Sequence, residues 1–308
     1  MRARLLLLAV LALCLVPGFS ATAAQSPTTG GGPALHFLQY NICGGWSGCT
    51  EDPSIAGEVT RRVAKVEQEI TSWNSDAVFL SEVCGVQFET LLAELRPRGY
   101  TGVFHSQLDT GSGCRPDNRG GTHEGIAVLV KGPVGPGTFH NLTTPGTTRE
   151  QFGLLCTDTA LRDRRVQVCS GHPSPEDVGV EQNRRLAAIV DAVVRSGTPV
   201  IVGGDLNLTP EHPGLDGMYS HTGGHGRFVE VDDTNKAYYT PNCPPSAVQC
   251  RSGAPTFATA KATPIKLDYV FVSAAHFVDR AGTVTGHDPT ITDHDALRGQ
   301  ATWAPTST

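Results

Sequence analysis

Six short stretches of this chain carry polar or charged residues of one chemical kind at the end of an apolar run. They are Gln39-Tyr40-Asn41-Ile42, Phe79-Leu80-Ser81-Glu82, Ser170-Gly171-His172, Gly203-Gly204-Asp205-Leu206-Asn207, Lys266-Leu267-Asp268-Tyr269 and Thr292-Asp293-His294. A carboxylate, amide or imidazole following a segment that should be buried costs free energy unless it is paired or bound to a metal. Several oxygen donors converging with two imidazoles suit a hard divalent cation handling phosphoryl oxygens. Carboxylates would hold the ion, and an imidazolium or amide would stabilise the phosphate. Taken singly, each stretch has a plainer reading. Asn41 could be a turn residue, Glu82 a helix N-cap partner, Asp205 and Asn207 turn formers beside glycine, and Asp293-His294 a solvated turn. Asp268 resists such a reading, because a charge inside an apolar strand wants a partner. The remaining histidines have no comparable context and read as surface or satisfied groups. His221 and His225, which flank Gly223-Gly224, could at most make a second metal site.

These residues need elements to position them, and the hydrophobic pattern supplies alternating strands and helices. Leu35 to Ile42 reads as a strand ending in a Gly-Gly turn, and Asp76 to Leu80 as a short buried strand. Between them Val59, Val63, Val66, Ile70 and Trp73 recur at helical spacing, predicting a helix from Gly57 to Trp73. Phe88, Leu91, Leu92 and Leu95 predict a second helix, ended by Pro97 and Gly99. Thr101 to Ser106 and Gly125 to Val130 read as strands separated by a Gly-rich loop from Asp109 to Thr122. Phe152 to Asp158 and Arg165 to Gly171 read as a hairpin. A third helix spans Glu181 to Arg195, with Leu186, Ile189, Val190 and Val193 inward. Pro199 to Val202 is a buried strand, 209–264 is loop-rich, and Leu267 to Val272, Val278 to Val284 and Ala296 to Ala301 are the last strands.

The chain has 308 residues, 39% of them hydrophobic and 18% charged, with 35 Gly and 21 Pro. Recurrent apolar runs exclude disorder as the main state, and frequent Gly and Pro exclude a coiled coil. A formal charge of −6 argues against non-specific clinging to polyanions. It leaves a nuclease open, since a metal can supply local positive charge. Arg2 and Arg4, the apolar run Leu5 to Val16 and Ala21-Thr22-Ala23 have the pattern of a secretory signal cut near Ala23. That assigns 1–23 to a signal peptide, 24–33 to a flexible lead-in and 34–304 to a single domain. The apolar run is too short to span a bilayer. Cys14 would leave with the leader, and eight cysteines would remain. In an exported chain they suggest disulfides. Eight cysteines admit 105 connectivities. The sequential pairing Cys43–Cys49, Cys84–Cys114, Cys156–Cys169 and Cys243–Cys250 is the expectation, with one local argument: Cys156 and Cys169 lie symmetrically about Arg162-Asp163 in the predicted hairpin. No Cys-x-x-Cys pair is present, which argues against zinc. Asn141-Leu142-Thr143 and Asn207-Leu208-Thr209 match the glycosylation sequon.

Asn41, Ser81-Glu82, His172, Gly204-Asp205-Leu206-Asn207, Leu267-Asp268-Tyr269-Val270 and Thr292-Asp293-His294, in that order, resemble the endonuclease/exonuclease/phosphatase family, whose members are like deoxyribonuclease I. The likeness runs from about Leu35 to about Ala301. It implies a deoxyribonuclease I-like α/β fold: a four-layer αββα sandwich of two packed mixed sheets with helices outside. It also implies roles. Glu82 would be the main metal carboxylate, with Asn41 beside it and Asp293 completing the site. His294 would contact the scissile phosphate, oriented by Asp268. Asp205 would position or deprotonate the attacking water, with Asn207 holding Asp205 or a phosphate oxygen. His172 would be the acid for the leaving oxygen. Whether Asp205 or His294 is the base stays open. Two departures stand out. Ser81 precedes the metal carboxylate where many members have Gln, and Gly171-His172-Pro173 replaces Thr-His-Leu.

The leader pattern implies a secreted, extracellular protein, and the resemblance implies a phosphodiester hydrolase dependent on Mg2+ (or Mn2+ or Ca2+), with nucleic acid as substrate: DNA first, RNA second. A monomer is expected. The rival reading keeps the chemistry and changes the substrate to a phospholipid or inositol phosphate, as in sphingomyelinase-like or phosphoinositide phosphatase-like relatives. Tyr238-Tyr239 and Phe257 are the only residues suited to a lipid-facing loop. A catalytically inactive binding module is a third reading, and every key polar residue being present argues against it. Arg115, Arg119 and Lys131 are among the scattered cations that could meet a nucleic-acid backbone.

Overall fold

In a computed structural model the chain is described over residues 32–46, 48–51, 54, 58–108, 114, 123–143, 151–175, 177–259 and 262–305. The leader, most of the lead-in, most of the Asp109–Thr122 loop, and with it Arg115 and Arg119, fall outside them.

The first sheet is built from β1 (Leu35–Asn41), β2 (Ala77–Cys84), β3 (Tyr100–Leu108), β4 (Glu124–Lys131), β13 (Phe277–Val284) and β14 (Leu297–Trp303), in the order β13-β14-β1-β2-β4-β3. The second contains β5 (Thr138–Asn141), β6 (Gly153–Leu161), β7 (Arg164–His172), β8 (Val200–Asp205), β9 (Phe228–Glu230) and β12 (Asp268–Ser273), in the order β5-β6-β7-β8-β12-β9. Both are mixed. β1 and β2 run parallel, as do β7 and β8, and the other pairs are antiparallel. Parallel neighbours need a crossover. Helix α1 (Thr60–Trp73) connects the first pair and α3 (Val178–Arg195) the second, while α2 (Gly85–Leu95) follows β2. A two-stranded ribbon, β10 (Phe257–Thr259) with β11 (Ala262–Ile265), stands apart from both sheets.

Strand side chains alternate between faces, and that alternation sorts the core into three apolar layers. Leu35, Phe37, Phe79, Val128, Val168, Ile201, Val270 and Val272 pack between the sheets. Leu38, Tyr40, Val78 and Leu80 point the other way, onto Val63, Val66 and Ile70 of α1 and Phe88 and Leu91 of α2. Leu154, Val200, Val202 and Phe271 meet Leu186, Ala187 and Val190 of α3. Three apolar layers separate four layers of secondary structure, the expected αββα sandwich. The two sheets approach closely at Gly203, where any Cβ would collide with the Phe79 ring of the opposite sheet.

Several local readings shift. The first helix begins at Thr60. The buried face of α3 is Leu186, Ala187, Val190 and Val194, with Ile189 and Val193 only half-buried. β2 does not stop at Leu80: a register shift between Leu80 and Val83 carries it to Cys84. Within 209–264, β9 adds an edge strand to the second sheet and β10 opens the ribbon. The hairpin is as read, with Cys156 opposite Cys169 and both turn residues, Arg162 and Asp163, at positive φ. All four sequential disulfides are present. His221 is spent on Asp233, 2.8 Å away, rather than facing His225 as half of a metal site.

Candidate active site

Period-two alternation puts Asn41, His172, Asp205 and Asp268 on the same strand faces as the inter-sheet core residues Phe37, Val168, Ile201 and Val270. Each sits at the last or first position of its strand, so the apolar layer ends in a polar rim. Asp205 and Asp268 are directly opposite each other on antiparallel β8 and β12. Bonds then join these strand ends, two of them across the gap between the sheets. Asn41 Nδ2 donates to Asp205 Oδ2 at 3.0 Å and to Glu82 Oε1 at 2.8 Å, and Gln39 Nε2 donates to Asp268 Oδ1 at 3.1 Å.

Glu82 reaches this rim only through an irregularity. Ser81 occupies the inter-sheet parity, so regular alternation would turn Glu82 toward α1 and α2. The bulge and a left-handed backbone at Glu82 (φ 52°) redirect it. Ser81 Oγ fills the space beneath, within 3.4 Å of Gln39 Nε2 and 3.5 Å of the Asp205 amide.

His294 arrives on the loop before β14. Its Nδ1 lies 2.8 Å from Asp268 Oδ2, and its Nε2 3.6 Å from Asp205 Oδ2 and 4.0 Å from Asp293 Oδ1. The loop is pinned by Thr292, whose hydroxyl donates to the Asn41 carbonyl and accepts from the His294 amide. The ribbon adds a second clamp, with Ala258 N donating to the Asp293 carbonyl and the Phe257 ring 5.0 Å from that of His294. Asp268 is fully buried. Burial opposes charge on His294, but Asp268 and then Asp205 overcome it and raise its pKa to about 10. Burial pushes the Asp205 carboxyl up, against the pull of His294 and with the push of Asp268. Asp293 is raised to about 6, by burial first, opposed by His294 and reinforced by Glu82.

His172 closes the opposite side. Its Nδ1 is 3.2 Å from Gln107 Oε1, while Gln107 Nε2 donates to the His172 carbonyl at 3.2 Å. That leaves Nε2 turned toward Glu82 Oε1, 3.7 Å away. Asn207, at positive φ, donates its amide to Asp205 Oδ1 and its side chain to the Pro173 carbonyl, tying the ends of β7 and β8 together.

All eight residues singled out in the sequence therefore belong to one neighbourhood. Ligand atoms of Glu82, His172 and Asp205 lie within 4.8 Å of one another, as do those of Asp205, Asp268 and His294. The donor set fits a hard divalent cation: three carboxylates, Glu82, Asp205 and Asp293, crowd at the rim, and their mutual repulsion is the kind a cation relieves. In this arrangement Asn41 bridges two carboxylates through Nδ2, and its Oδ1 accepts from the Cys43 amide at 3.0 Å. Gln39, Gln107 and Arg62 were not foreseen. Gln39 had a signal, a polar residue in register with the core positions of its strand, whereas Gln107 lies just past the strand end expected at Ser106, at a register shift. Arg62 had none: it is fully buried on α1 and donates to the carbonyls of Gly44 (2.8 Å) and Ile291 (3.1 Å), fixing both loops that flank the site.

Comparisons with known proteins agree with this fold. The model of the Endonuclease/Exonuclease/phosphatase family matches residues 38–294. The human Nocturnin catalytic domain, solved with bound sulfate, superposes with a TM-score of 0.61 at 18% identity, covering 88% of this chain and 94% of that one. An endonuclease/exonuclease/phosphatase from Beutenbergia cavernae gives 0.59 at 20% identity, covering 89% and 73%. TDP2 from D. rerio, complexed with a single-strand DNA product, gives 0.55 at 14%, covering 87% and 98%. No curated protein matches the sequence.

Proposed function

Because this chain belongs to the endonuclease/exonuclease/phosphatase family, we propose that it is a secreted, Mg2+-dependent phosphodiesterase that cleaves DNA, with RNA as the second candidate substrate. The observation that carries this reading is the convergence of Glu82 and Asp205 with the Asp268–His294 pair on one side and His172 on the other. Such a site has a group for each end of an in-line displacement at phosphorus.

Glu82 and Asp293, with Asn41 beside them, would hold the divalent ion, which supplies positive charge to the phosphate oxygens. Asp205 takes the proton of the attacking water. Its raised pKa suits it as a base, and Asn41 and Asn207 fix its two oxygens. His294, kept cationic by Asp268, meets a non-bridging phosphate oxygen and is the charge clamp rather than the base. His172, oriented by Gln107, protonates the departing oxygen. The water oxygen bonds to phosphorus as the P–O bond to the leaving sugar breaks, with one proton accepted at Asp205 and one given at His172.

The DNA product held by one relative supports nucleic acid as the substrate class. The lipid reading draws no such support: Phe257 packs over His294, and the Tyr239 hydroxyl donates to the Asp233 carbonyl. Four disulfides favour an oxidising compartment. We take 34–304 as the catalytic domain behind a cleaved leader, acting as a monomer. The test is nicking of supercoiled plasmid by purified protein with Mg2+ and with chelator, beside phosphocholine release from sphingomyelin. Nicking in Mg2+ alone is expected. Intact plasmid with phosphocholine release would replace the nuclease reading by the lipid one.

A further inference from the structure

Trp46 has no part in the chemistry above, yet it is 49% exposed. It lies in the loop closed by Cys43–Cys49, whose sulfurs come within 4.8 Å of the Glu82 carboxylate. The same loop bonds to two neighbouring residues of the site: the Cys43 amide to Asn41 Oδ1, and the Gly44 amide to the Glu82 carbonyl at 2.6 Å. The indole is fixed by its edge. Nε1 donates to Glu124 Oε1 at 3.0 Å, and the other oxygen of that buried carboxylate accepts from the Gly45 amide at 3.1 Å. Gly45 is required for this approach, since a Cβ there would collide with Glu124 Oε2. A large, half-exposed ring held by its polar edge, on a loop bonded to Asn41 and Glu82, is a pre-organised surface for a flat ligand.

We propose that Trp46 is a specificity-determining contact on which a nucleobase next to the scissile phosphate stacks. The inference rests on the nuclease reading. A base is the flat group that a phosphodiester chain carries at a fixed short distance from each phosphate, and stacking accepts any base. A lipid surface is the poorer occupant. The indole cannot turn its tethered edge into a bilayer. The other exposed large apolar side chains among the described residues, Tyr238, Val248 and Ile265, lie on other segments of the chain.

Trp46 also reports on itself. The other two tryptophans are fixed within the fold, Trp73 half-buried and Trp303 buried, with indole nitrogens on the Gly299 and Leu161 carbonyls. In an Asp205→Asn background with Mg2+, a single-stranded hexadeoxynucleotide should quench tryptophan emission saturably. An abasic oligomer of the same length should not, and Trp46→Ala should remove the response. In the active enzyme, Trp46→Ala should raise KM for the oligonucleotide about tenfold, the scale of one stacked base, with a much smaller change in kcat, and Trp46→Phe should restore most of it. Plasmid cleavage with no base-dependent quenching, or with an unmoved KM in Trp46→Ala, overturns the stacking role while leaving the nuclease reading intact. A plasmid left intact whatever residue stands at 46 defeats that reading instead. A blue shift of Trp46 emission on phosphatidylcholine vesicles, without any response to oligonucleotide, assigns the ring to a membrane and overturns the proposal.

Discussion

Replacing Asp268 with Asn changes one atom in a fully buried position and isolates the charge that holds His294. In the native site the Asp268 carboxylate accepts from His294 Nδ1 at 2.8 Å and from Gln39 Nε2 at 3.1 Å. An asparagine can keep its oxygen toward only one of these donors, so a donor faces a donor at the other, at a cost of about 1–3 kcal/mol in stability. The larger effect is on protonation. With a pKa of about 10, His294 at pH 7.5 has roughly 300 charged rings for each neutral one. Without Asp268, burial favours the neutral ring and only Asp205 and Asp293 still oppose it, so the charged fraction falls. Loss of charge together with loss of ring orientation should lower kcat about 100- to 1,000-fold, the scale of a lost transition-state donor. The sign for stability follows. A raised histidine pKa stabilises the fold fully below about pH 6.5 and loses that contribution as pH rises through about 10, and Asp268→Asn should abolish this loss. The assay pairs NMR titration of the His294 ring with steady-state kinetics on an oligonucleotide. A ring that still titrates near 10 in Asp268→Asn, or an unchanged kcat, would refute the reasoning.

Asp293, raised to about 6, should make divalent-ion affinity fall as pH is lowered through that value, and Asp293→Asn should flatten the profile in calorimetric Mn2+ titrations. Gly203→Ala drives a methyl group into the Phe79 ring between two sheets that cannot both move. About 1–3 kcal/mol of destabilisation is expected, read as a melting temperature several degrees lower. Removing the Cys43–Cys49 bridge as the double serine variant should lower activity with little change in melting temperature, because the bridge braces the loop beside Glu82 rather than the core; equal losses in both would contradict this.

Much of the site was legible because its residues obey the strand period. Asn41, His172, Asp205 and Asp268 continue the inter-sheet faces of their strands, so a polar residue after an apolar run already marked both the strand end and its orientation. Glu82 could be named but not aimed, since its direction depends on a bulge that the alternation Val78 to Leu80 does not announce. Gln39 carried the right signal, a polar residue two positions before a functional one, yet it looks like an ordinary strand residue until its partner across the gap is known; Gln107, at a register shift past Ser106, carried none. Arg62 and Glu124 carry no local signal: both are charges whose burial depends on contacts with loops far away in the sequence. The strands within 209–264 escaped for a similar reason. β9 is three residues long, and its place is decided by pairing with β12 rather than by its own pattern.

The central claim is that these distant segments assemble one ion-dependent phosphodiester site around Glu82. The most direct test compares wild type with Glu82→Gln for equilibrium Mn2+ binding and for plasmid cleavage in the same buffer. The account predicts that the wild type binds the ion, melts at a higher temperature in its presence by mass action and cleaves DNA. In Glu82→Gln all three should be lost while circular dichroism stays native. Native ion binding together with native cleavage in Glu82→Gln would contradict it.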